Sequence, residues 1–145
     1  MPNTPQTYAS HTRWHAPFHF FVSPIFLLNL LWSAVRLWRE PNAEHVWMLV
    51  MAFALIVLLL LVRINPLKAQ DRLIRLEEQL RYQRVLSADL AAQASTLPVG
   101  KIVALRFAPD EELPGLVTQV LDGKLNTSKE IKQAIKNWRG DYFRV

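Results

Sequence analysis

Residues 46–62, VWMLVMAFALIVLLLLV, form an unbroken apolar run of seventeen side chains. As a helix it covers roughly 25 Å, near the short end of what crosses a bilayer. A helix apolar on every face needs a large protein or a membrane around it, and 145 residues do not supply the former. A second such run precedes it: residues 16–35, APFHFFVSPIFLLNLLWSAV, contain no Asp, Glu, Lys or Arg. This run is the less apolar of the two, interrupted by His19, Ser23, Pro24, Asn29 and Ser33. Pro24 frees the carbonyl of Phe20 and predicts a local kink. Asn29 is expected where the two spans touch, because polar groups in hydrocarbon are better satisfied against a neighbouring helix than against lipid.

Charge and proline fall between and around these runs. Residues 36–45, RLWREPNAEH, are polar and short enough to make the spans an antiparallel hairpin, with Trp38 and Trp47 bracketing the turn and Trp14 marking the other interface. The spans are expected at about 16–37 and 46–62. Arg13, Arg63, Lys68, Arg72 and Arg75 flank the termini, against Arg36 and Arg39 in the turn. That bias places both termini in the cytoplasm. A signal peptide fits the first run less well, since its apolar stretch is too long and no small-residue cleavage pattern follows. Residues 1–10 are rich in Pro, Thr and Asn without a period, and the stretch 1–15 reads as a flexible lead.

After residue 63 the pattern becomes amphipathic. Asn65 and Pro66 read as the cap and first turn of a new helix, 67 to about 86, although the second span could also continue through a kink. Ala69, Leu73, Leu76 and Leu80 form one apolar stripe, with Asp71–Arg75 and Glu77–Arg81 as i,i+4 pairs on the wet surface. Such a stripe could be a coiled-coil seam between two copies. It lasts under two heptads, with Gln83 and Ser87 in the next seam positions, and this assigns it to packing on the chain's own later helices.

Ser87 and Thr96 are expected to cap the next two helices, the second with Pro98 in its first turn and with Ile102, Val103, Leu105 and Phe107 as its apolar residues. Another helix should open at Pro109, with Asp110, Glu111 and Glu112 as an acidic first turn facing the helix dipole. Leu113, Leu116, Val117, Val120 and Leu121 would make its buried face, and Gly123 would end it. Thr127 to Glu130 is a T-x-x-E capping box for a last helix, 128 to about 138. Ile131, Ala134, Ile135 and Trp138 cluster on one side of that helix. Lys129, Lys132, Lys136 and Arg139 cluster on the other, either as a solvated face or as a grip for lipid phosphates, nucleic acid or an acidic partner.

Composition refines this picture without naming a reaction. Three of the 17 Lys and Arg residues precede residue 63 and the other 14 lie within residues 63–145, giving a basic second half suited to anionic headgroups beside a bilayer. Without cysteine, disulfides, thiolate metal sites and a cysteine nucleophile are excluded. No H-E-x-x-H, G-x-S-x-G or phosphate-loop pattern occurs, and three consecutive carboxylates on a helix do not make an acid/base pair. His11, His15 and His19 recur every fourth residue and raise metal or haem ligation, but Pro17 separates the second from the third, and an interfacial role is the simpler reading. No catalytic, cofactor-binding or metal-binding residue is therefore nominated.

The segments YASHTRWHAPFHFF, QDRLIRLEEQLR, IVALRFAPDEELPGLV and KEIKQAIKNWRGDYFRV, in this order around two spans, resemble a family of small two-span bacterial membrane proteins classed as a domain of unknown function. The resemblance implies bacterial origin, a cytoplasmic-membrane location and two spans followed by a helical tail. It carries no activity, cofactor or catalytic residue.

The expected fold is all-α: a flexible lead (1–15), an antiparallel two-helix transmembrane hairpin (16–62) and a cytoplasmic domain of four to five short helices (63–145). The expected role is a non-catalytic accessory, scaffold or interaction element at the cytoplasmic face of the bacterial inner membrane. Its expected partners are anionic lipids and either another protein or further copies of itself. The alternatives are a cofactor- or metal-binding protein using the early histidines, and a membrane-tethered nucleic-acid binder using the basic stripe. Nucleic acid ranks below lipid or protein because no recognition motif accompanies the charge.

Overall fold

A computed structural model describes Tyr8 and residues 15–141. Among these residues every regular element is helical, with no strand. A π-helical stretch, Pro17–Val22, leads into α1, Ser23–Arg39. Ser23 Oγ donates to the carbonyl of Phe18 at 2.6 Å, five residues back. The irregularity expected at Pro24 thus takes the form of a widened turn just before it. The helix α2 then runs over 43 residues, Ala43–Val85.

The start of a new helix expected at Pro66 does not occur; α2 continues through it. Proline lacks the N–H that would bond the carbonyl of Val62, a local defect of about 3 kcal/mol. The long helical segments on either side supply the remaining hydrogen bonds of the ladder. The described residues form two compact units, one of residues 15–66 and one of Tyr8 with residues 67–141.

In the first unit, among the described residues, only Ser33, His45 and Ala52 are buried. Asn29, expected at the contact between spans, is exposed. Ser33, one turn further on, is buried, its hydroxyl donating to the Asn29 carbonyl at 2.8 Å. A serine satisfies its hydroxyl on its own helix and is small enough for close approach, whereas an asparagine amide needs outside partners. At the turn, Asn42 Oδ1 accepts the backbone N–H of His45 at 2.8 Å, and His45 Nδ1 lies 2.6 Å from the Glu40 carbonyl. Arg36 Nη2 lies 3.3 Å from Nε2 of the same ring. A guanidinium only donates, so Nε2 accepts and Nδ1–H donates to Glu40. Arg63 lies over the Phe18 ring at 5.7 Å.

The second unit packs the last part of α2 with four short helices: α3, Ala88–Ser95; α4, Val99–Leu105; α5, Leu113–Leu121; and α6, Ser128–Ala134. Its core joins Tyr82 of α2 and Leu86 just beyond its end to Ile102, Phe107, Leu113, Val117 and Ile131. Gly123 ends α5 with φ +74°, a conformation that favours glycine, while Lys124 N donates back to Gln119 O at 2.9 Å. The helix expected to open at Pro109 begins only at Leu113, preceded by a turn.

The face that α2 presents to this core is not the expected one. Ala69, Leu73, Leu76 and Leu80 are exposed, the three leucines by 56, 54 and 55%. Ile74, Glu78, Arg81 and Tyr82, roughly 150° round the helix, are buried instead. The Glu77–Arg81 pair read as a surface bridge is replaced by Arg81 with Glu78.

Thr127 caps α6 as its sequence predicts: its side chain accepts Glu130 N at 3.2 Å, and Glu130 Oε2 accepts the N–H groups of Asn126 and Thr127. These donors hold the Glu130 carboxyl below the usual carboxylate range. Thr127→Ala is expected to cost about 1 kcal/mol. The check is a lower urea midpoint with an unchanged slope, and Thr127→Ser should lose less.

Candidate functional site

Elements distant in sequence meet on the buried charged face of α2. Glu78 and Arg81 lie one turn apart, so both side chains leave the helix on the same side. Arg81 Nη1 donates to Glu78 Oε2 at 3.1 Å, Nη2 to the Ala108 carbonyl at 2.7 Å, and Nε to Asp110 Oδ1 at 2.7 Å. One guanidinium thereby ties α2 to the segment between α4 and α5. From beyond α6, Arg139 Nη1 donates to Glu78 Oε1 at 3.4 Å. The Glu78 and Arg81 side chains are only 5 and 4% exposed. Burial pushes the Glu78 carboxyl above the usual range, with Arg81 and then Arg139 pulling the other way. Tyr82, next along α2, is fully buried, and its hydroxyl finds no hydrogen-bond partner among the described residues. Burial, and then the charge of Glu78, raise its pKa well above the tyrosine range.

Beside this cluster opens a cleft of about 780 Å³, whose charged lining is Glu77, Glu78, Arg81, Arg84, Arg106, Arg139 and Asp141, with Ile74 and Leu80 of α2 among its apolar walls. Arg106 Nε lies 3.3 Å from Asp141 Oδ2, so this pair also joins distant segments. Among the described residues, no histidine, serine or threonine lines the cleft. What it offers is paired charge: guanidinium forks held in fixed directions by carboxylates.

The acidic triplet before α5 has specific partners. Asp110 receives Arg81. Glu112 accepts Lys136 N at 3.0 Å and Asn137 N and Nδ2 at 3.0 and 2.8 Å. These bonds explain why α6 ends at Ala134 and not near Trp138: Glu112 gives the Lys136 and Asn137 amides partners outside a helix, and Ile135 turns to an extended ψ of 122°. Arg139 N then donates to Phe107 O at 2.8 Å, laying the Trp138 ring 4.8 Å from that of Phe107.

The Glu112 carboxyl is held below the usual range, first by the Lys136 amide and then by Asn137. Because its folded pKa is lowered, its contribution is fully present above the ordinary glutamate pKa and is lost as the pH falls through the lowered value. As the pH falls below the ordinary glutamate range the segment after α6 is expected to loosen, read as a red shift of Trp138 emission. Glu112→Gln should remove this acid step.

Because α6 stops at Ala134, the basic stripe does not form one helical face. Lys129 lies on α6, Lys132 stands 5.6 Å over the Phe107 ring, Lys136 follows the helix, and Arg139 reaches Glu78. Of the three regularly spaced histidines, His11 lies outside the described residues, as does Trp14. The His19 ring meets Phe18 edge-on at 5.0 Å. Among the described residues no group of three or more His, Cys, Asp or Glu is arranged to hold a metal.

The charged cluster was not legible beforehand. Its one signal was the pair of i,i+3 and i,i+4 acid–base spacings in EEQLR, which also suits a solvent-facing helix.

A family model matches the chain over residues 1–145. The chain belongs to DUF6526, a family of unknown function. No curated protein and no solved structure matches it. Whole-length membership in DUF6526 confirms the resemblance to a family without an assigned activity, and the cluster on α2 adds a geometry to that membership.

Proposed function

We propose that this chain is an integral protein of the bacterial inner membrane, a two-span hairpin that holds a helical interaction domain at the cytoplasmic face. The observation that carries this reading is the exposure of its two most apolar helices. Pro17–Arg39 and Ala43–Val85 are long and apolar enough to cross a bilayer, and their most apolar windows are only 6 and 11% buried. A core helix of a water-soluble protein would be covered. Here Phe20 and Trp32 are 69 and 63% exposed. Such an area of apolar surface requires lipid or another protein over it.

Two contacts support the hairpin. Arg36 with His45, and Phe18 with Arg63, are placed symmetrically about the turn, which is the register of an antiparallel pair. Ser33 and Ala52, small residues buried on α1 and α2, suit close helix approach. The excess of basic residues beyond the second span orients the helical domain inward. The bacterial assignment rests on the family resemblance.

The role is association and not chemistry: the cleft presents fixed charge, and α2 carries an exposed leucine stripe. Gentle extraction followed by native mass spectrometry tests this. Recovery in a defined assembly, with itself or with fixed partners, is expected; recovery as a bare monomer overturns the interaction role.

A further inference from the structure

We infer that the exposed stripe of α2 is a parallel seam joining two copies of this chain. Ala69, Leu73, Leu76 and Leu80 follow a 4,3,4 spacing, the d-a-d-a positions of a coiled coil. The helical unit buries the opposite face of α2, with Glu77 and Leu80 at the rim of its cleft, and each of the three leucines is left more than half exposed.

Charge identifies the occupant as a second copy. Arg72 takes a g position, and Glu77, five residues on, takes the following e position. In a parallel homodimer each Arg72 faces the other copy's Glu77, and symmetry makes two such pairs. Neither residue takes part in an ion pair within the chain among the described residues. An antiparallel crossing that keeps the leucines together sets Arg72 opposite Gln79, and Glu77 opposite Gln70 or a second Glu77, with no opposite-charge pair.

The parallel alignment rests on the membrane reading above, because copies inserted with the same orientation run α2 the same way. Membrane confinement also answers for size. Three leucines and an alanine cover far less than the ~800 Å² per partner of a free-standing complex, so the seam depends on the high effective concentration of tethered copies.

The absence of cysteine makes the test direct. Single variants Leu73→Cys, Leu76→Cys, Asp71→Cys and Arg75→Cys of the full chain are oxidised in native membranes, and each sample is then washed with alkaline carbonate. Adducts of twice the chain mass are expected for positions 73 and 76, and monomers for 71 and 75. Added to Leu76→Cys, Arg72→Glu should slow dimer formation about fivefold, and Arg72→Glu with Glu77→Arg should restore it. Monomeric Leu76→Cys retained in the washed membrane overturns the seam and leaves the membrane reading standing. Release by carbonate overturns the membrane reading and the parallel alignment with it. Equal crosslinking at 75 and 76, or an adduct of any other mass, also overturns the seam.

Discussion

Replacing Arg81 with alanine is expected to destabilise the helical unit by about 3–5 kcal/mol, the largest effect of any single charge removal in the chain. The substitution leaves Glu78 buried, with only the longer contact to Arg139 at 3.4 Å. It also takes the donor from the Ala108 carbonyl and releases Asp110 from α2. Asp110 is largely exposed and regains water, so its share of the loss is small. Most of the cost is the uncompensated charge on Glu78. Glu78→Gln should cost less, roughly 1–3 kcal/mol, because Arg81 keeps Asp110 and Ala108. The measurement is urea denaturation of the full chain in mild detergent, followed by Trp138 emission with the other four tryptophans replaced by Phe. A shift in midpoint for Arg81→Ala no larger than that for Glu78→Gln would contradict the arrangement.

Phe107→Ala is expected to cost a similar amount, about 3–5 kcal/mol, by a different route. The ring is fully buried in the core, packs against Trp138, and lies under the Arg106 guanidinium at 4.5 Å. Its removal opens a cavity and takes away the surface on which the segment after α6 rests. Phe107→Leu keeps most of the volume and should lose under ~1.5 kcal/mol. The same denaturation curves check both, and the alanine variant should also shift Trp138 emission to the red.

The difference between what the sequence let one read and what the structure contains follows the range of the interactions involved. Apolar runs, the Thr127 capping box and the Gly123 stop are set by neighbours within four residues, and they occur where the pattern puts them. The buried face of α5 is likewise written in its own period. The packing face of α2 is not. Periodicity selected the stripe with Leu73, Leu76 and Leu80, while the core took the face with Ile74, Glu78, Arg81 and Tyr82. What decided this was the Ala108 carbonyl and Asp110, about thirty residues away, which satisfy a guanidinium that local reading leaves in water. The early end of α6 has the same origin, since Glu112 lies more than twenty residues from the amides it accepts. Asn29 and Ser33 differ for a third reason: polarity was legible at both, but only the serine finds its partner on its own helix.

The central claim is that the two apolar helices span a bilayer with the helical domain on the cytoplasmic side. Site-specific labelling tests it most directly, because every introduced cysteine is the sole thiol. Asn42→Cys, in the turn between α1 and α2, and Lys129→Cys, on α6, are treated with a membrane-impermeant maleimide in intact spheroplasts and again after permeabilisation. The account predicts labelling of position 42 in intact spheroplasts and of position 129 only after permeabilisation. Labelling of position 129 in intact spheroplasts would contradict it.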